Sequence, residues 1–328
     1  MSKVSTKKIT SIGGSALIEG IMMRGPKKTT VCVRTGENEI YSEDISITTI
    51  PEKCKLFKLP FFRGVAALID SMRLSYKSLM LSADKAVEAG EIEEEEPSKF
   101  EKWLDKTFGD KLVKVMMVLA SIVGVAIAVA LFFFLPSFLF DLTAKAVPAF
   151  QGSGEMAVFW KSVFEGVLKI ILFLGYIILC SQMTEMKRVF MYHGAEHKTI
   201  FCYENEEELT VENVKKQIRF HPRCGTSFMI LMLIVGIVIG LFVPVAPFGI
   251  GFLRPVFKIL LLPVSCGVGY ELIKICGRHD NPITRIIAAP GLWAQRITTK
   301  EPDDKMIEVA IKAMESVIPE DGTDIINN

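Results

Sequence analysis

Between Lys111 and Phe140 lies an apolar run of more than twenty residues, VMMVLASIVGVAIAVALFFFL, without a single charged side chain. As a helix it is long enough to cross a hydrocarbon core of about 30 Å. Three further candidates follow. A segment from about Val158 to Met183 carries Glu165 and Lys169 one helical turn apart, where opposite charges can pair. Phe228 to Ala246 and about Leu253 to Ile275 are separated by the turn-rich VPVAPFGIG and read as a hairpin of spans. The chain is 50% hydrophobic yet 23% charged, so its apolar residues must be gathered in blocks. The expectation is a mainly α membrane protein with about four transmembrane helices.

Basic residues set the expected orientation. Lys99, Lys102, Lys106, Lys111 and Lys114 precede the first span, and Lys187, Arg188, Lys198, Lys215, Lys216, Arg219 and Arg223 fill the loop between the second and third. Lys274, Arg278, Arg285 and Arg296 follow the fourth, whereas the other two loops offer only Lys145, Lys161, Arg254 and Lys258. The positive-inside rule places both termini and the central loop in the cytosol of a cytoplasmic membrane. The N-terminal MSKVSTKKITSIGG has no apolar stretch after its basic residues, so a cleaved signal peptide is not expected and insertion would use the internal spans.

Three regions are expected. Residues 1–110 form a small cytosolic α+β region, in which TTVCVRTGENEIYSEDISIT alternates around Thr35-Gly36-Glu37-Asn38 as a β-hairpin. PFFRGVAALIDSMRLSYKSLMLSADKA then has helical periodicity, interrupted by Arg63, Asp70, Arg73 and Lys77; it suits a helix on the membrane surface or packed on the bundle. EIEEEEPS is an acidic linker. Residues 111–276 hold the four spans and the cytosolic loop 184–227. Residues 277–328 form a cytosolic tail with Trp293 as an interfacial anchor. Its amphipathic helix follows Pro302 and carries Ile307, Ala310, Ile311, Met314 and Val317.

Seven cysteines contain no CxxC pair, and Cys180 and Cys266 sit in apolar runs, so no disulfide framework is expected. With a net charge of +1 and no basic stripe interleaved with aromatics, nucleic-acid binding is not expected either.

The chemistry concentrates after the second span, in Tyr192-His193-Gly194-Ala195-Glu196-His197-Lys198. On a helix His193 and His197 project from one face a turn apart, the spacing at which two imidazoles share a metal ion. The order H-x-x-E-H is that of inverted zinc peptidases, in which the glutamate acts on water. Only four histidines occur in the chain. A catalytic zinc needs a third protein ligand, and the candidates are His221 and Cys224 on the same loop and Glu271 near the end of the fourth span. Glu271 resembles the distant glutamate that completes the site in inverted zinc peptidases. His279 reads as a turn residue. Arg223, with Thr226 or Ser227 capping the third span, offers a second possibility, an anion such as a lipid phosphate, with ordinary capping the simpler reading.

Four motifs together resemble the YqhQ family of bacterial membrane proteins: GGSALIEGIMMRGP (13–26), the His193 to Lys198 run, His221 to Ser227, and the Leu292 to Asp304 tail. The resemblance covers nearly the whole chain and implies a multi-pass bacterial membrane protein described as a metal-dependent enzyme. Where the family leads one to expect Gln after the paired glycines, this chain has Ser15. Glu19 and Arg24 beside the Met-rich stretch are further site candidates, to pair with the central loop or line a site there; a tight glycine-permitted packing segment is the alternative.

Two functions remain. One is a metal-dependent hydrolase with zinc held by His193, His197 and one of His221, Cys224 or Glu271, and with Glu196 accepting a proton from water. Its place at the bilayer surface suggests a lipid-linked, peptide or membrane-protein substrate. The other is a non-catalytic scaffold or membrane-protein assembly factor with a structural metal or none. A transporter is less well supported, because paired broken helices are not expected.

Overall fold

A computed structural model describes residues 8–37, 39–53, 55–59, 62–90, 115–116, 119–150, 154–278 and 281–326. The acidic linker, the basic residues ahead of the first span and His279 lie outside them. The chain divides into two compact units.

The first unit comprises residues 1–92, 174–232 and 263–328. It opens with a four-stranded antiparallel sheet in the order β1-β2-β3-β4, formed by β1 (Gly13–Leu17), β2 (Gly20–Arg24), β3 (Thr29–Arg34) and β4 (Ile40–Asp44). The expected hairpin is β3–β4, closed by Thr35 N–H donating to the Glu39 carbonyl at 3.0 Å. A second hairpin, β1–β2, turns at Ile18-Glu19, where Glu19 adopts a φ of 47°. After a short α1 (Ile50–Lys53), α2 spans Phe62–Glu88, and Leu74 packs with Leu17, Met22, Val31, Val33 and Ile45 on one face of the sheet. The charges that interrupt its periodicity are used locally. Asp70 accepts from the Ile50 N–H at 2.9 Å, and Arg63 donates to Glu271 at 2.7 Å. Beside that pair Gly64 lies against Tyr270 and Gly267, where a Cβ would come within 2.7 Å of the Tyr270 side chain.

The second unit comprises residues 93–173 and 233–262 and contains α3 (Leu119–Ala146), which has a π-helical turn at Ala130–Phe134. Helices α3 and α4 (Glu155–Cys180) are long and apolar enough to cross a membrane. The next elements are α5 (Thr184–Glu204), α6 (Val211–Lys216) and α7 (Gly225–Gly240). The third expected span is α7, an apolar helix of only 16 residues, shorter than the roughly 20 that a crossing needs. The fourth is broken into α8 (Leu253–Leu260) and α9 (Leu262–Arg278), bent by 44°. Pro263 has no N–H for the Ile259 carbonyl, so the helical ladder cannot run through. Among the described residues, therefore, two helices could cross a membrane, or three if the bent pair is one span.

Within the second unit Lys161 and Glu165 of α4 are paired. Glu165 receives Lys258 and Arg254, Lys161 reaches Asp141 at 2.5 Å, and Ser162 donates to the Gly240 carbonyl at 2.8 Å. The fully buried Arg254 also donates to Ser162 Oγ at 2.7 Å and to the Pro244 carbonyl at 2.9 Å. Removing one partner of such a buried pair strands the other charge. Arg254→Met is expected to destabilise the protein by about 3–5 kcal/mol, read as a lower thermal midpoint in detergent. Adding Glu165→Leu should recover part of the loss.

The tail supplies α10 (Pro282–Thr298) and α11 (Asp304–Glu315). Helix α10 starts on a reciprocal cap: Asn281 Oδ1 accepts from Thr284 N–H at 2.9 Å, and Thr284 Oγ1 from Asn281 N–H at 3.0 Å. Trp293 stands half exposed on it. The expected amphipathic helix is α11, capped by Asp303 on the Met306 N–H at 2.8 Å. Its apolar stripe is core: Met306, Ile307, Ala310 and Met314 pack with Ile21, Met23 and Cys32 of the sheet and with Tyr192 and Ala195 of α5.

Candidate metal centre

Helix α5 carries H-x-x-E-H, and its histidine rings lie on one face with centroids 4.4 Å apart. Cys224, whose carbonyl accepts the Phe228 N–H at 3.1 Å to open α7, faces them. Its Sγ lies 3.2 Å from His193 Nε2. One donor atom from each of His193, His197 and Cys224 lies within 4.8 Å of the others.

Both histidines are oriented by backbone. His193 Nδ1–H donates to the Thr298 carbonyl at 2.9 Å, and His197 Nδ1–H to the Arg219 carbonyl at 2.6 Å. That choice of tautomer leaves each Nε2 lone pair for a metal, and carbonyl partners of this kind are what hold ligating imidazoles in place. Two imidazoles and a thiol form a borderline-soft donor set that suits zinc.

Electrostatics prepare the donors. Burial pushes the Cys224 thiol up, but His193 and His197 outweigh it and hold it well below its ordinary value. Burial likewise opposes charge on His193, yet Cys224 beside it raises the imidazole to about 9. A cation entering between them would replace the imidazole proton and meet a sulfur whose ionised form the two histidines favour. Glu196, 4% exposed, has its carboxyl raised by burial against the pull of both histidines. It accepts the Gly14 N–H, while its Oε2 has no hydrogen-bond partner among the described residues.

The spacing glycines have structural reasons. At Gly194 the Lys300 carbonyl lies 2.0 Å from where a Cβ would sit, so the tail crosses α5 there. Lys300 N–H donates to the Phe190 carbonyl at 2.8 Å on the way past. At Gly14 a Cβ would meet the Glu196 carboxyl carbon at 2.9 Å.

The other candidates are placed as follows. His221 packs its ring 5.6 Å from that of His197 and faces Glu204 at 3.7 Å, so it borders the three donors without joining them. Its imidazole is pushed down to about 4, mainly by burial. Glu271 is engaged by Arg63 and is not part of the cluster. Glu19 is buried and accepts from Arg188, and from the Tyr192 hydroxyl at 3.2 Å, which ties the β1–β2 turn to α5. Arg24 ends β2 exposed. Arg223 pairs with Glu204 and donates to the Thr10 carbonyl at 3.0 Å. Thr226 Oγ1 lies 2.9 Å from Cys224 Sγ, and Ser227 Oγ accepts from Gln295 at 2.8 Å.

Gln295 escaped the sequence reading. It is fully buried, receives the His221 N–H at 2.8 Å and returns a bond to the His221 carbonyl at 2.7 Å, which clamps the 221–227 loop. A lone glutamine in a helix carries no sequence signal of that role.

The chain is a member of the family described as a protein of unknown function, DUF1385, whose profile matches residues 59–320 and so includes all three donors. It is similar to the uncharacterized protein YqhQ of Bacillus subtilis (strain 168), 33% identical over 308 residues, which cover 93% of this chain and 92% of that one. No solved structure matches.

Glu204 gives a pH test. Burial raises its carboxyl, but His221 and Arg223 outweigh that and lower it below the ordinary 4.5. A depressed carboxyl contributes stability that is present above its unfolded pKa and is lost as pH falls through the folded one. Acid should therefore destabilise the protein below about pH 4.5, and Glu204→Gln should be less stable at neutral pH but flatter in acid, read from unfolding midpoints. Separately, Gly194→Ala should lower the midpoint, because the Lys300 carbonyl has to move.

Proposed function

We propose that this protein is a polytopic membrane metalloprotein with a zinc site formed by His193, His197 and Cys224, and that it acts as a metal-dependent hydrolase. Convergence of two carbonyl-anchored imidazoles and one thiol supports this reading most directly. Zinc in such a site supplies Lewis acidity, polarising a carbonyl and acidifying water. The chain's own residues do the rest. His193 and His197 present Nε2, and Cys224 supplies negative charge. Glu196, with an unpartnered carboxylate oxygen beside the donors, takes a proton from water and returns it to a leaving group. In this proposal both termini and the loop 184–227 face the cytosol, as the basic residues direct.

A second reading is supported by burial: His197 and Cys224 are 2% and 7% exposed, as suits a structural ion in a scaffold or assembly factor. The fourth coordination position decides, since a closed structural site fills it with protein and a catalytic one leaves it open.

Purified protein should carry about one zinc per chain, measured by elemental analysis, and the His193→Ala, His197→Ala double variant near none. Equal, near-zero metal in both would sink the proposal. Glu196→Gln should keep its metal and lose at least about a hundredfold in hydrolysis. X-ray absorption distinguishes an exchangeable fourth ligand from a protein one.

A further inference from the structure

Helix α10 has three sectors. Its buried sector serves the candidate centre: Gln295 brackets His221, the Thr298 carbonyl receives His193, and Gly291 lies against Ser227, where a Cβ would sit 2.6 Å from the serine Cβ. A second sector is apolar and uncovered. Ile283, Ile286 and Trp293 are 70%, 73% and 53% exposed, and Pro290 is exposed with them. At about 3.6 residues per turn these four fall within about 80° of one another. Arg285 and Arg296, both exposed, share the remaining sector.

That apolar face is local to α10. No large apolar side chain of the sheet or of α11 is exposed, and among the described residues the same holds for the whole tail beyond Trp293. The change of surface falls within α10 itself, so this helix lies where apolar surroundings give way to water. Its place in the chain identifies those surroundings. Helix α9, the second half of the bent apolar pair, ends at Arg278, and α10 is capped at Asn281. With 17 residues, α10 is shorter than the roughly 20 that a crossing needs. Pro290 has no N–H for the Ile286 carbonyl, which favours a depth that water and headgroups reach.

We infer that α10 is an in-plane membrane helix: Ile283, Ile286, Pro290 and Trp293 sit at the acyl-chain border of the bilayer, Arg285 and Arg296 meet lipid phosphates, and this seating steadies the Gln295 and Thr298 contacts to the candidate centre. Helices that lie in the interface divide into apolar and basic faces in this way, and tryptophan is enriched at that depth. The arginine fork matches phosphate oxygens, so acyl chains topped by phosphate complement both outward sectors at once. The seating stands apart from the hydrolase reading; its link to the centre rests on the zinc site.

The test uses the full chain in phosphatidylcholine vesicles whose acyl chains carry bromine either near the headgroup or near the terminal methyl. Emission of Trp293 is isolated as the difference between the parent and Trp293→Phe. It should be quenched about twofold more by the shallow bromine, since in-plane helices reach roughly 5–10 Å into the boundary. Stronger quenching by the deep bromine would make α10 a crossing helix, and no quenching by either would put protein, such as a second copy, on this face; each result overturns the proposal. Ile286→Asp, a change outside the core, should weaken the shallow quenching and, in zinc-loaded vesicles, speed zinc loss to a chelator about tenfold. Ile286→Leu should behave as the parent. Weakened quenching with unchanged zinc loss in Ile286→Asp would overturn the link to the centre and leave the seating standing. Protein that shows shallow quenching but binds no zinc would remove the metal centre and, with it, the link alone.

Discussion

The Lys300 carbonyl crosses α5 at Gly194, closer than any side chain there would allow. From this crossing the rest of the centre follows. The end of α10, just before this passing segment, brings the Thr298 carbonyl to His193 Nδ1, which selects the tautomer that exposes Nε2. The passing segment also starts the turn into α11, whose apolar stripe closes the core shared by the sheet and α5. One glycine between two histidines thus serves the tail, and through the tail it orients an imidazole.

A second layer of buried polar contacts positions the loop that carries Cys224. Gln295 brackets His221 through both its amide groups, and Glu204 draws Arg223 and the Thr10 N–H onto the other side. Buried polar groups of this kind are costly unless every partner is met. When met they fix one arrangement, and here they place a thiol opposite two imidazoles from a segment about thirty residues away in sequence.

Much of this was legible in the residues. Period and length gave α3, α4 and the amphipathic α2 and α11, and the H-x-x-E-H spacing gave the histidine pair with its glutamate. What failed was set by tertiary contact. The glycines and methionines of β1 and β2 do not alternate as strands should, and they pair because α5 and α11 cover them. Four full spans were expected, yet α7 is short and the last is broken before Pro263, since mean apolarity says little about where a helix bends. Of the three offered third ligands, Cys224 meets the histidines, while Glu271 is engaged by Arg63; the choice among them depends on how the chain folds back.

The order of synthesis gives the centre a timetable. His193 and His197 leave the ribosome about a hundred residues before the Thr298 carbonyl that steers the first of them, and before the Gln295 that clamps the cysteine loop. Throughout that interval the His193 imidazole lacks the carbonyl that fixes its tautomer, while His197 needs only the nearer Arg219 carbonyl. The mature arrangement of the three donors is therefore a late event, assembled when the last tenth of the polypeptide wraps back, and a prematurely truncated product would bear the full histidine motif with no carbonyl to aim His193.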